Sequence, residues 1–344
     1  MRALICGYYG EHNLGDDALL AVLLDQLPAS CHPVVTAHDQ ALVRKQFGVE
    51  TTDRRRLGAV LAALGRCQAL VLGGGSLLQD VTSFQSLLYY GALMLAARLR
   101  GQPVILWGQG LGPLRRRRSR ILVRGLLPLA TAISWRDAAS ASQARAWGVE
   151  APVVGSDPVW ALAAQGWSGR GGAIVLCFRP VHQLSGAAWT PYLQALEQLA
   201  LAADREVLWL PFHQDQDRGL LASLTQQGLV GEALARRSRE LLVQTPEEAM
   251  EAFRQASLVL AMRLHGLILA ALAGSPCAAL SYDPKVAAAA AAIGCPCQEL
   301  DAPPPESLQA TWAAALDTPP DSSGIAALQR GSQVHRGMLA ALAV

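Results

Sequence analysis

Short apolar runs and amphipathic stretches alternate along almost the whole chain. In the first half, the runs Ala3–Cys6, Val34–Thr36, Ala69–Leu72, Val104–Trp107, Ala132–Ser134 and Val153–Val154 predict strands. Helical patterns lie between them at Asp17–Gln26, Leu57–Leu64, Leu87–Arg100 and Ala138–Trp147, the last closed by Gly148 at a C-cap position. The periodicity lapses in "SDPVWALAAQGWSGRGG", where glycine thickens, and a new series then begins. Its predicted strands are Ala173–Phe178, Val207–Leu210, Leu258–Ala261 and Ala278–Ser281, and its helices are Pro191–Ala203, Asp217–Gln227 and His265–Ala273. Such alternation predicts an α/β protein with mainly parallel sheets.

The boundary falls near Asp157–Gly172. It predicts two Rossmann-like domains facing a cleft, over residues 1–157 and 172–318, with residues 319–344 forming a C-terminal helix or tail. From Asp301, "APPPE" and "TPPDSSG" read as irregular before one last helix. In open α/β sheets ligands bind beyond the carboxyl ends of strands, so both domains are expected to aim their loops into the cleft.

Composition narrows the class. Of 344 residues 51% are hydrophobic and 16% charged, a length that fits two domains. No apolar run approaches the roughly 20 residues of a membrane span. "MRALICGYYG" enters a strand directly, so a soluble cytoplasmic protein is expected. A net charge of +2 gives no ground for a nucleic-acid partner. The seven cysteines form no CxxC pair and read as reduced thiols.

Candidate chemistry gathers where strands hand over to helices. "GYYGEHNLGDDALL" places Gly10, Asn13 and Asp16 before a helix whose first N–H groups are free. It lacks GxGxxG, and Thr36 and His38 stand where a ribose-binding acid would end the second strand, which disfavours a dinucleotide. "LGGGSLLQD" (with Gly74 and Gly75) and "WGQGLGPL" (with Gln109 among its glycines) repeat the device, and predict a backbone floor suited to sugar or phosphate. A merely tight βα turn is the alternative for the first, and three such loops in one domain are harder to dismiss than one.

In "SWRD", Asp137 reads as an N-cap, whereas Arg136 opposes the helix dipole and calls for an anion. Arg179 follows another strand. His213, Asp215 and Asp217 could hold a metal, or Asp217 could simply start the next helix; the expected site includes no metal and no cofactor. Arg263 and His265 flank a helix start after Leu258–Ala261, and Lys285 follows the next strand, a placement that fits anion binding. Capping of loop carbonyls is the alternative. The run Arg115, Arg116, Arg117 and Arg118 reads as a solvated face, or as a peripheral contact with anionic lipid or a pyrophosphate-linked substrate.

From about Arg2 to Val286 these motifs, with "MRLHGLILAALAGSP" and "SYDPKV" the most specific, resemble the polysaccharide pyruvyl transferases, most closely the bacterial CsaB type. The resemblance implies a two-domain fold like the GT-B glycosyltransferases. It also implies transfer of pyruvate from phosphoenolpyruvate to a sugar as a cyclic ketal, in the CsaB type an N-acetylmannosamine of the cell-wall polymer that anchors surface-layer proteins. The acceptor would be lipid-linked or nucleotide-linked. "SWRD", with its bulky Trp135 after an arginine-rich run, departs from the pattern on the acceptor side. His265 then becomes the expected proton donor and acceptor, with Arg263 beside it. Arg136, Arg179, Lys285, Gly10, Asn13, Asp16, Gly74, Gly75 and Gln109 become expected substrate contacts. A GT-B glycosyltransferase, with Glu247 or Glu248 on a nucleotide ribose, and a non-catalytic carbohydrate-binding relative are the alternatives.

Overall fold

The structure, a computed structural model, describes residues 1–81, 83–149 and 153–343, and the chain divides into two compact units. The first comprises Met1–Glu11, Asp16–Ala161 and the chain from Leu328 onward; the second comprises His12–Gly15 and Leu162–Ala327.

In the first unit the strands are β1 (Arg2–Tyr9), β2 (His32–Ala37), β3 (Glu50–Asp53), β4 (Ala69–Leu72), β5 (Gly75–Leu78), β6 (Val104–Leu111), β7 (Ala132–Trp135) and β8 (Val153–Val154). They run parallel in the order β3-β2-β1-β4-β6-β7-β8, with β5 pairing β6. The helices of this stretch are α1 (Leu14–Gln26), α2 (Gln40–Phe47), α3 (Leu57–Leu64), α4 (Phe84–Leu99), α5 (Arg117–Leu126) and α6 (Ala138–Ala146). Every residue of β4 and β6 is buried, as expected of parallel strands covered on both faces, and that burial explains the unbroken apolar runs of β4 and of Val104–Trp107 in β6.

The second unit repeats the plan with β9 (Ile174–Cys177), β10 (Val207–Trp209), β11 (Ser238–Glu240), β12 (Leu258–Ala261), β13 (Cys277–Ser281) and β14 (Cys297–Glu299). Their parallel order is β11-β10-β9-β12-β13-β14. The helices are α7 (Thr190–Ala202), α8 (Gln214–Asp217), α9 (Leu220–Gln226), α10 (Glu232–Arg237), α11 (Pro246–Arg254), α12 (Leu264–Leu272), α13 (Pro284–Ile293), α14 (Leu308–Ala315), α15 (Ser322–Ser332) and α16 (Val334–Met338), the last returning to the first unit. Winding starts at β9, moves outward through β10 and β11, then returns to the other side of β9 at β12. The carboxyl ends of β9 and β12 therefore form a topological switch point, where such sheets open a crevice.

Several expectations need correction. The helix expected over Asp217–Gln227 is two, because Gly219 takes φ +78° and breaks α8 from α9. The tail past Asp301 holds α14, α15 and α16 rather than one helix. The triple-glycine segment is partly strand, since Gly75 begins β5.

The returning α16 buries a histidine in the first unit. His335 is fully buried, its Nε2 lying 2.7 Å from the Ser156 carbonyl and its Nδ1 2.9 Å from Ser134 Oγ. A carbonyl can only accept, so Nε2 carries the proton and Nδ1 accepts from the serine. Ser134 Oγ in turn accepts the Gly108 N–H at 2.9 Å, closing a chain of satisfied buried groups. The ring also packs edge-on against Trp107, and burial holds its pKa below the usual histidine value.

Candidate functional site

Four adjacent strands of the second sheet send their carboxyl ends to one edge, and each delivers a polar residue there. Arg179 follows β9, His213 to Asp217 follow β10, Arg263 and His265 follow β12, and Tyr282 to Lys285 follow β13.

Arg263 is held as a fork. Its Nε donates to Asp217 Oδ2 at 3.0 Å and its Nη2 to Asp217 Oδ1 at 2.5 Å, with the Asp217 side chain fully buried. Bidentate pairing fixes the plane of a guanidinium as a single contact does not. Asp217 also accepts the His213 backbone N–H at 2.8 Å, so α8 is wound around this carboxylate. The expectation that Asp217 begins the next helix is thus wrong: it ends α8 and faces back. Gln216 Oε1 accepts from Arg263 Nη2 at 3.1 Å and from Arg179 Nη2 at 3.2 Å. Arg179 Nη1 donates to Tyr282 Oη at 3.0 Å, and its guanidinium also lies 5.1 Å from the centre of that ring. One neutral oxygen therefore ties two guanidiniums to a hydrogen-bonded cluster whose one buried carboxylate is Asp217, while exposed Asp215 of the same helix also acts on His213.

His265 stands in the first turn of α12, half-buried, and packs against Gly15. A Cβ at Gly15 would lie 2.3 Å from His265 Nδ1, so any side chain there would displace the imidazole. Asn13 belongs to the same unit: it bridges His213, and its Oδ1 accepts the Gly15 N–H at 3.1 Å. Lys285 sits in the first turn of α13, 3.3 Å from Asp283, which also caps that helix.

His213 is a site residue that the sequence reading missed, since it entered only as a metal-ligand candidate. It is 4% exposed, and neither ring nitrogen has a hydrogen-bond partner among the described residues. Burial first, and the Arg263 charge second, lower its pKa, so the imidazole is neutral. Among the described residues, no cluster of three His, Cys, Asp or Glu side chains is placed to hold a metal ion.

The remaining expected contacts belong to the first unit, and several already have partners there. Arg136 is buried, with Nη1 3.2 Å from Asp157, Nη2 2.9 Å from Ser76 Oγ and Nε 3.7 Å from Asp137. The anion that its position calls for is supplied by Asp157 and Asp137, and Asp137 also caps α6. Gln109 is fully buried and donates to the carbonyls of Leu72 and Gly73, both at 3.0 Å. Gly74 makes room for a helix rather than a ligand, because a Cβ there would meet Leu19 of α1 at 2.6 Å. Gly10 turns at φ +68° and its carbonyl accepts the Asp39 N–H. A Cβ on Gly75 would lie 4.0 Å from Asp16 Oδ1, placing those two side by side.

The fold matches solved structures at low identity. Methanocaldococcus jannaschii UDP-GlcNAc 2-epimerase superposes with a TM-score of 0.63 at 11% identity, over 98% of this chain and 99% of that one. Anabaena Alr3699/HepE in complex with UDP and glucose gives 0.59 at 13%, over 100% and 98%. Acinetobacter baumannii MurG gives 0.51 at 14%, over 97% and 95%. These are enzymes of the GT-B fold, and this chain shares that fold. The sequence matches none of the curated proteins. A family model described as polysaccharide pyruvyl transferase matches residues 13–284.

Proposed function

Since the chain belongs to the polysaccharide pyruvyl transferase family, we propose that it moves pyruvate from phosphoenolpyruvate onto a sugar as a cyclic ketal and releases inorganic phosphate. The observation that carries this reading is the pair Arg179 and Arg263, sharing Gln216 Oε1 against one carboxylate beside His265. Phosphoenolpyruvate is a small molecule with a carboxylate and a phosphate, and two guanidiniums held together at a switch point suit it. Lys285 is the further cation in this reading, whereas Arg136 is taken up by Asp157 and Asp137.

The chemistry has four steps. The methylene carbon takes a proton, one sugar hydroxyl adds at the central carbon, phosphate leaves, and a second hydroxyl closes the ring. Of the two hydroxyl protons, one is balanced by the new methyl group and the other leaves with phosphate. His265, at the start of α12, is the group that gives and takes these protons, work that typically contributes about 10²–10⁴-fold. The acceptor in this reading is an N-acetylhexosamine of a cell-wall or exopolysaccharide precursor, as in the CsaB type that serves surface-layer anchoring. Phosphoenolpyruvate is an intracellular metabolite, so the reaction is a cytoplasmic one.

Phosphate release from phosphoenolpyruvate, measured with lipid-linked and nucleotide-linked hexosamines, tests this. We expect acceptor-dependent release that falls at least about 100-fold in a folded His265→Ala variant. Release unaffected by that change removes the role given to His265. A second reading, glycosyl transfer from a nucleotide sugar, draws on the UDP found in fold neighbours such as Alr3699/HepE. Against it, Glu248 is taken up in its own helix start, accepting the Gln244 N–H at 2.7 Å. Release of UDP without phosphate would favour that second reading.

A further inference from the structure

From Val81 to Arg136 the chain contains no aspartate or glutamate, and it contains nine arginines: 98, 100, 115, 116, 117, 118, 120, 124 and 136. Arg136 is buried and paired, whereas the other eight are exposed. They lie on or beside two helices of the first unit that pack side by side. Arg118 of α5 sits 4.3 Å over the ring of Phe84 in α4, and Leu126 of α5 packs on Gly91 of α4. Those two contacts, seven residues apart on α4 and eight apart on α5, make the helices run in the same direction.

The outward surface of this pair is also apolar. Leu88, Leu95 and Leu99 are 49%, 49% and 79% exposed, and their spacing of seven and four puts them on one stripe of α4. Ile121 of α5 is 64% exposed. On α5, Ser119, Val123 and Leu126 are the buried face, so Arg117, Arg120, Ile121 and Arg124 are left to the outside. Single exposed leucines need no explanation, but four large aliphatic side chains on the same two helices as exposed arginines, with no carboxylate in the segment, do.

We infer that the α4–α5 face is a docking surface for an anionic lipid bilayer. The arginines meet the head groups, while Leu88, Leu95, Leu99 and Ile121 reach the acyl boundary, the division of labour of an interfacial amphipathic surface. Nucleic acid would be served by the arginines alone and gives leucine side chains nothing to enter. No described helix is long and apolar enough to cross a membrane. The surface is independent of which reaction the second unit performs.

Co-sedimentation of the full chain with phosphatidylglycerol-rich vesicles and with pure phosphatidylcholine vesicles tests it, beside two variants of exposed residues. One is Arg117→Gln/Arg124→Gln, and the other is Leu95→Ser/Leu99→Ser/Ile121→Ser. We expect binding selective for the anionic vesicles and weakened by salt. The charge variant should bind at least about tenfold less, since each basic residue near such a surface contributes about 1 kcal/mol, or roughly fivefold. The apolar variant should also lose at least about tenfold, now without loss of salt sensitivity. Unaltered thermal unfolding in either variant shows that the fold is intact. Binding that ignores lipid charge, or survives both variants, overturns the inference. So does binding of single-stranded RNA in place of vesicles, or an apolar variant that changes only the association of the chain with itself.

Discussion

Arg136 and Arg263 have the same address in two different sheets. Each lies just past the carboxyl end of a strand, where a helix begins, and each is nearly buried, with side chains 7% and 11% exposed. Their surroundings have opposite sign. Arg136 faces two carboxylates, Asp157 and Asp137, so its neighbourhood carries one net negative charge. Arg263 shares Gln216 with Arg179 and is paired with one carboxylate, Asp217, so within its hydrogen-bonded cluster guanidiniums outnumber carboxylates two to one. A sequence motif fixes where an arginine sits, while the charge that remains for a ligand depends on what the fold delivers from elsewhere. Asp157 comes from 21 residues away and Asp217 from 46.

The sharpest test removes the lone carboxylate. Asp217→Ala leaves Arg263 without its fork and two guanidiniums unbalanced, and should cost about 3–5 kcal/mol in denaturant unfolding. Asp157→Ala should cost only about 1–3 kcal/mol, because Asp137 and Ser76 remain on Arg136. Equal losses would erase the comparison. A double change, Arg263→Met with Asp217→Leu, should recover most of the stability lost in Asp217→Ala while phosphoenolpyruvate binding stays absent. Arg263→Lys keeps the charge and loses the fork, and we expect the KM for phosphoenolpyruvate to rise about tenfold with little change in unfolding. An unaltered KM would remove Arg263 from donor binding.

The smallest effect concerns two histidines that differ in the same way. His335 has both ring nitrogens bonded, His213 has neither, and burial depresses the pKa of each. Both are neutral in the fold, whereas the unfolded chain binds their protons near pH 6.5. Their stabilisation is therefore present above about pH 6.5 and declines below it, by at most about 1.4 kcal/mol per pH unit for each histidine. His213→Phe should flatten that decline at little cost near neutral pH, since no hydrogen bond is lost. His335→Phe should flatten it too, but from a lower starting stability, because Ser134 and the Ser156 carbonyl lose their partner. Acid profiles matching wild type would show that neither ring titrates with unfolding.

Much of this fold could be read from the sequence, and the exceptions share a cause. Ala69–Leu72 and Leu258–Ala261 were legible to the residue because strands buried on both faces must be wholly apolar. Glu50–Asp53, Ser238–Glu240 and Cys297–Glu299 escaped, and each is an edge strand of its sheet, too polar and exposed to leave a hydrophobic signal. The site divides similarly. Arg263 and His265 declared themselves by standing at a strand end before a helix. Gln216 and Tyr282 did not, and Asp217 entered only as a metal ligand or helix start, because their role lies in contacts with neighbouring strands, up to 103 residues distant for Arg179 and Tyr282. Gly74 and Gln109 misled because a glycine-rich turn that admits a helix looks, in sequence, like one that admits a phosphate.

The latch at His335 has a further consequence for how the molecule is made. The first unit begins at the start of the chain but is completed by α16, so it cannot close while a ribosome is still producing the second unit. At about 5–20 residues per second, the stretch from Leu162 to α16 takes about 10–35 seconds, during which Trp107 and Ser134 lack their His335 contacts. The second unit therefore has all its parts before the first, which is begun earlier, has its own.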